Sequence, residues 1–115
     1  MNPFRDQEKF MRACDQTVDD YNHGQVALYA NLIDEEVKEF NEAYKKYDHV
    51  EMLDALIDII VVTTGAIHSM GADAEGAWKE VMQTNFNKID KETGKVDRKS
   101  TRLNSSHVKR SRMPS

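Results

Sequence analysis

Apolar residues recur along this chain at spacings of three and four without alternating, and glycine and proline are scarce at five and two. Helices are therefore predicted throughout. Asn2 as cap and Pro3 in the first turn open a helix that the pattern carries to about Asn22, where His23-Gly24 breaks it. Phe10, Cys14, Val18 and Tyr21 share its apolar face. A second helix is predicted over about 25–47, and Asp48-His49 then gives a short connection and a cap for a third over about 50–70. Gly71 stops that helix, Asp73 caps a fourth running to about Ile89, and residues 91–95 turn the chain. Connections this short make neighbours antiparallel, so the expected fold is all-α, a four-helix bundle.

Composition divides the chain. It has 115 residues and a formal charge of -4, but all 20 acidic residues lie at or before Asp97, against 10 Lys and Arg in the same stretch. Residues 98–115 hold six Lys or Arg and no acid. From about Ser100 the chain is rich in Ser, Arg, Lys and Asn, and such a segment cannot offset its ordering entropy by burial. One domain over 1–98 and a disordered basic tail over 99–115 are expected. The charged N-terminus lacks the apolar stretch of a secretory signal, and the run from Ile59 to Val62 is too short to cross a bilayer. The single cysteine excludes an intrachain disulfide and most zinc patterns. A cytoplasmic protein with no membrane partner is expected, with Cys14 as a small core residue.

Candidate chemistry comes from acids on apolar faces. At about 100° per residue, Glu36 falls inside the apolar stripe of the second helix, with Leu32 and Phe40 about 40° to either side. Glu39 lies at the stripe's edge one turn on, whereas Glu35 and Glu42 point closer to solvent. The third helix is apolar nearly all round from Met52 to Ile67, the pattern of a buried helix. Its only charges there are Asp54 and Asp58, four apart on one face, with Glu51 preceding them. A single buried acid is most simply paired with Lys or Arg. Four acids on adjacent helices, with no basic residue interleaved, need a cation instead, because unpaired buried carboxylates cost roughly several kcal/mol each. Glu36, Glu39, Asp54 and Asp58 are therefore the candidate metal ligands, and all-oxygen ligation points to Mg²⁺ or Mn²⁺. A di-iron centre would need Glu-x-x-His pairs. The residues three before His23, His49 and His68 are Asp20, Lys46 and Gly65, so these histidines are expected on the surface or in loops.

Glu35-Glu36-Val37-Lys38-Glu39 reads as an EExxE helix and Asp54-Ala55-Leu56-Ile57-Asp58 as a DALxD segment. Met70-Gly71-Ala72-Asp73 follows as a turn into a last helix, with Thr84-Asn85-Phe86-Asn87-Lys88 near its end. In this order the segments resemble the MazG-like and phosphoribosyl-ATP pyrophosphohydrolase-like all-α nucleoside triphosphate pyrophosphohydrolases, in a form associated with phage and bacterial members. The resemblance implies a MazG-like four-helix bundle completed by oligomerisation, a homodimer or homotetramer, that cleaves a nucleoside triphosphate to the monophosphate and pyrophosphate. It implies Glu36, Glu39 and Asp58 as Mg²⁺ ligands. Because position 55 is Ala, Asp54 or Glu51 is left to complete the shell. Glu35, or another acid outside the shell, is the candidate base for the attacking water. Asn85, on the face of Trp78, Val81 and Met82, and Lys88 one turn on are the candidate substrate contacts.

The resemblance lapses after Gly94-Lys95-Val96. Residues 101–115 look like translated sequencing-adapter read-through, standing where relatives carry a segment that folds over the nucleotide, so metal binding is expected ahead of catalysis. Two other functions compete. One is a non-catalytic bundle that binds nucleotide or metal, and the other is nucleic-acid binding by the tail, which six cations support only weakly and salt-dependently. Nucleic acid is not an expected partner. The motifs do not choose the base, and phosphoribosyl-ATP is the runner-up substrate.

Overall fold

The computed structural model describes residues 1–89 and Gly94, so the expected basic tail lies outside the described residues. It contains α1 (Pro3–Ala13), α2 (His23–Lys45), α3 (His49–Ser69) and α4 (Ala74–Asn87), an all-α helical bundle. Each helix starts on an Asn or Asp whose side chain accepts a hydrogen bond from a backbone N–H of the first turn. Asn2 takes it from Arg5, Asn22 from Gln25, Asp48 from Glu51 and Asp73 from Gly76, at 2.8–3.1 Å. These caps satisfy donors that the helix itself leaves open. The stops are residues in the left-handed region: Asp15 at φ 58°, Tyr47 at φ 55° and Gly71 at φ 69°.

α1 is shorter than the sequence predicts. It ends at Ala13, and residues 14–22 connect it to α2 without helix. Their polar groups are met from elsewhere. Gln25 accepts from the Thr17 N–H at 3.0 Å and donates to the Thr17 carbonyl at 2.6 Å, while Arg12 forks onto Asp19. Asn22 donates its backbone N–H to the Ser69 carbonyl at 2.8 Å and serves as the cap of α2 rather than the end of α1. The face proposed for a longer helix is therefore broken up. Val18 is buried, but Phe10, Cys14 and Tyr21 are exposed, and the core instead holds Met11 with Val18 and Tyr29.

α2 and α3 form the main packed pair. Gly65 meets Tyr29 at one end of the pair and Asp58 meets Glu36 further along, so the two run antiparallel. α1 crosses the C-terminal half of α3, where the buried His68 donates from Nε2 to the Phe4 carbonyl at 2.8 Å. His68 is thus a core residue rather than the surface residue expected, whereas His23 and His49 are exposed. α4 leans on α3 lightly and is tied to α1 by Arg5–Glu75 at 3.2 Å and by the tilted Phe4–Trp78 pair.

α3 is not buried all round as its composition predicts. Leu53, Leu56, Ile57, Ile60 and Val61 are exposed, because among the described residues the helices packed on α3 are α2, α1 and, lightly, α4. Among the described residues no helix is long and apolar enough to cross a membrane.

Candidate metal centre

The carboxylate face of α2 meets that of α3 midway along the pair. Glu36 is half-buried between the half-buried Leu32 and Phe40, one turn to either side. Its Oε2 is fully buried and has no hydrogen-bond partner. Burial first, then Glu39 and then Asp58, raise its carboxyl from the usual 4.5 to about 7. The contacts of Glu36 with Glu39 and Asp58 are between carboxylates, so they are hydrogen bonds only while a proton is shared. Without one they are repulsions. No basic group is among those acting on Glu36.

Of the acids proposed with Glu36, Glu39 and Asp58 are thus the two that act on it. Asp54 is exposed and lies to one side, on an open cleft of about 360 Å³ between α2 and α3 that also takes in Glu39, Glu42, Lys46 and Glu51. Asp54 and Glu51 thus share that wall, as the sequence left them. Glu35 is exposed and outside the trio. Asn85, in the last turn of α4, accepts from Lys88 Nζ at 3.4 Å. Glu42 and Lys46 are lining residues that the sequence reading left out of the site. Their i,i+4 spacing, in register with Glu39 two turns before Lys46, was the available signal.

The donor set fits a hard divalent cation. It offers only carboxylate oxygens, and the orphaned Glu36 Oε2 is the kind of buried atom that a cation would satisfy. As the side chains stand, no three His, Cys, Asp or Glu among the described residues close into a ligand cage.

Comparison with known families finds a match. The sequence model of one family, described as phosphoribosyl-ATP pyrophosphohydrolase, matches residues 6–85. That span holds all the carboxylates discussed and Asn85, and it stops short of Lys88. None of the curated proteins matches the chain.

Proposed function

The chain belongs to the phosphoribosyl-ATP pyrophosphohydrolase family, and from that premise we propose that it hydrolyses a (deoxy)nucleoside triphosphate to the monophosphate and pyrophosphate, using Mg²⁺ or Mn²⁺. The observation that carries this reading is the buried, unpartnered Glu36 Oε2 with two further carboxylates against it. Glu36, Glu39 and Asp58 would hold the cation from two helices, with Asp54 or Glu51 completing the set from the cleft wall. When bound, the metal supplies charge against that developing on the phosphates and lowers the pKa of a coordinated water.

In the proposed step, the water oxygen adds to the α phosphorus. The bond from that phosphorus to the α–β bridging oxygen breaks, and pyrophosphate leaves with the electron pair. Glu35, exposed beside Glu36, is assigned the water's proton. Glu35→Gln should lower turnover by roughly 100-fold, the lower end for proton-transfer groups.

A panel of canonical and modified dNTPs with Mg²⁺ tests the reaction. Pyrophosphate and the monophosphate should appear in equal amounts; orthophosphate in place of pyrophosphate, or no turnover of any substrate, sinks the proposal. The matching family's name favours phosphoribosyl-ATP as a second reading, and it belongs in the same panel.

The open face of α3 supports a homodimer or homotetramer as the active form. Leu53, Leu56, Ile57, Ile60, Val61, Trp78 and Phe86 are exposed large apolar side chains, of the kind that a standard interface of ~800 Å² per partner would cover. Of these, Ile60 and Trp78 line an apolar groove of about 660 Å³ between the first turn of α1, α3 and α4. A second copy could also bring the end of its α4, with Asn85 and Lys88, toward the carboxylates. Ile60→Glu should convert the assembly to a folded monomer by light scattering and circular dichroism. A wild-type chain already monomeric at tens of micromolar would rule the assembly out. The cytoplasm is the proposed setting, where Cys14 stays reduced.

A further inference from the structure

The cleft beside the carboxylate trio holds a cation that the reading above does not use. Its floor is the buried Ala43 and Ala55, and its walls are Glu39, Glu42, Glu51, Asp54 and Lys46. With no aromatic or large aliphatic side chain in the lining, a nucleobase has nothing to stack on there. The cleft therefore suits the phosphate tail of a substrate. Glu39 and one of Asp54 and Glu51 are assigned to the cation above, the remaining carboxylates would repel that tail, and Lys46 is the single positive charge in the lining.

Lys46 is in none of the ion pairs among the described residues, although Glu42 stands one turn before it. Its ammonium group is thus not committed to a protein carboxylate. Lys46 follows Glu39 by seven residues, about 10 Å along the axis of α2. A triphosphate anchored near Glu39 and extended along the cleft would bring its far end to the lysine. An ammonium with three donors serves as a point charge for such a group.

We propose that Lys46 binds the β and γ phosphates of the substrate, the part that leaves as pyrophosphate. This rests on the pyrophosphohydrolase reading above. The test compares Lys46→Gln, Lys46→Glu and Lys46→Arg in the full chain with Mg²⁺. Lys46→Gln should raise both the KM for the triphosphate and the Ki of pyrophosphate roughly tenfold, the scale of one lost charge-assisted hydrogen bond. Lys46→Glu should raise them further and Lys46→Arg should stay near wild type. Mn²⁺ binding without nucleotide, the Ki of the nucleoside monophosphate and the thermal midpoint should not change.

Wild-type KM and pyrophosphate Ki in Lys46→Gln overturn the assignment and leave the pyrophosphohydrolase reading standing. A lowered midpoint with those constants unchanged overturns it too, and gives Lys46 a role at the C-terminal end of the α2 dipole. Loss of Mn²⁺ binding in Lys46→Gln overturns it by making the lysine part of the metal site. If the wild-type chain neither hydrolyses triphosphates nor binds pyrophosphate with Mn²⁺, the underlying reading fails and the assignment falls with it.

Discussion

Glu36→Gln is expected to lower kcat/KM by about 10³-fold without destabilising the protein. A metal ion's charge stabilisation is worth several kcal/mol, and each ~1.4 kcal/mol is tenfold in rate, so an amide that weakens the central ligand should remove about that much. Stability should move the other way. In the metal-free protein the Glu36 carboxylate faces Glu39 and Asp58 with Oε2 buried, and a neutral amide of the same size relieves that repulsion. The pH dependence follows from the same group. Its folded value of about 7 stands above its usual 4.5, so the folded state binds the proton more tightly than the unfolded state. Metal-free stability should therefore fall as pH rises from about 4.5 to 7 and level off above that. Mn²⁺ needs the deprotonated ligand, so its affinity should drop about tenfold per unit below pH 7, with one proton released on binding. Calorimetric titrations at pH 6 and 8 check this. Equal affinities at the two pH values, or wild-type turnover by Glu36→Gln, would remove Glu36 from the site.

The starts of α1, α3 and α4 and the approach of Glu36 to Glu39 and Asp58 were legible because their causes are local, whereas Asn22, the cap of α2, was read as the end of α1. An Asn or Asp before a periodic run is its own cap, and an acid inside an apolar stripe is visible on a helical wheel. The end of α1 was not legible, since what replaces helix over residues 14–22 is Gln25, held in place by Ser69 from 44 residues away. His68 was misjudged for a similar reason, as its partner is the Phe4 backbone carbonyl, 64 residues away. The composition of α3 foretold burial but not what would cover it, and the chain by itself leaves Leu53 62% exposed. Lys46 escaped notice because it lies outside the apolar stripe. Its significance comes from the cleft that α3 completes.

Gly65→Ala should lower the unfolding free energy by about 3 kcal/mol, the sum of overpacking and disturbed hydrogen bonds, and the thermal midpoint by about 10 °C or more. A Cβ at position 65 would sit 2.6 Å from Tyr29 Cζ and closer still to Cε1. The ring has no room to retreat. Tyr29 is buried with Met11 and Val18, and its hydroxyl donates to Gln16 Oε1 at 2.6 Å while accepting from Gln7. Gly24→Ala is the control, since its nearest outside atom is 3.8 Å away, and it should leave the midpoint unchanged or slightly raised. A smaller residue at 29 should recover part of the loss in a double mutant, giving a favourable coupling energy. The effect should also reach the site. Gly65 and Tyr29 each stand seven residues, about 10 Å along the helix, from Asp58 and Glu36. A wedge between α2 and α3 there spreads the two carboxylates, so Mn²⁺ affinity should fall in Gly65→Ala even at a temperature where circular dichroism shows it folded. Unchanged affinity alongside a lowered midpoint would mean that the helix pair bends locally and the carboxylates keep their spacing.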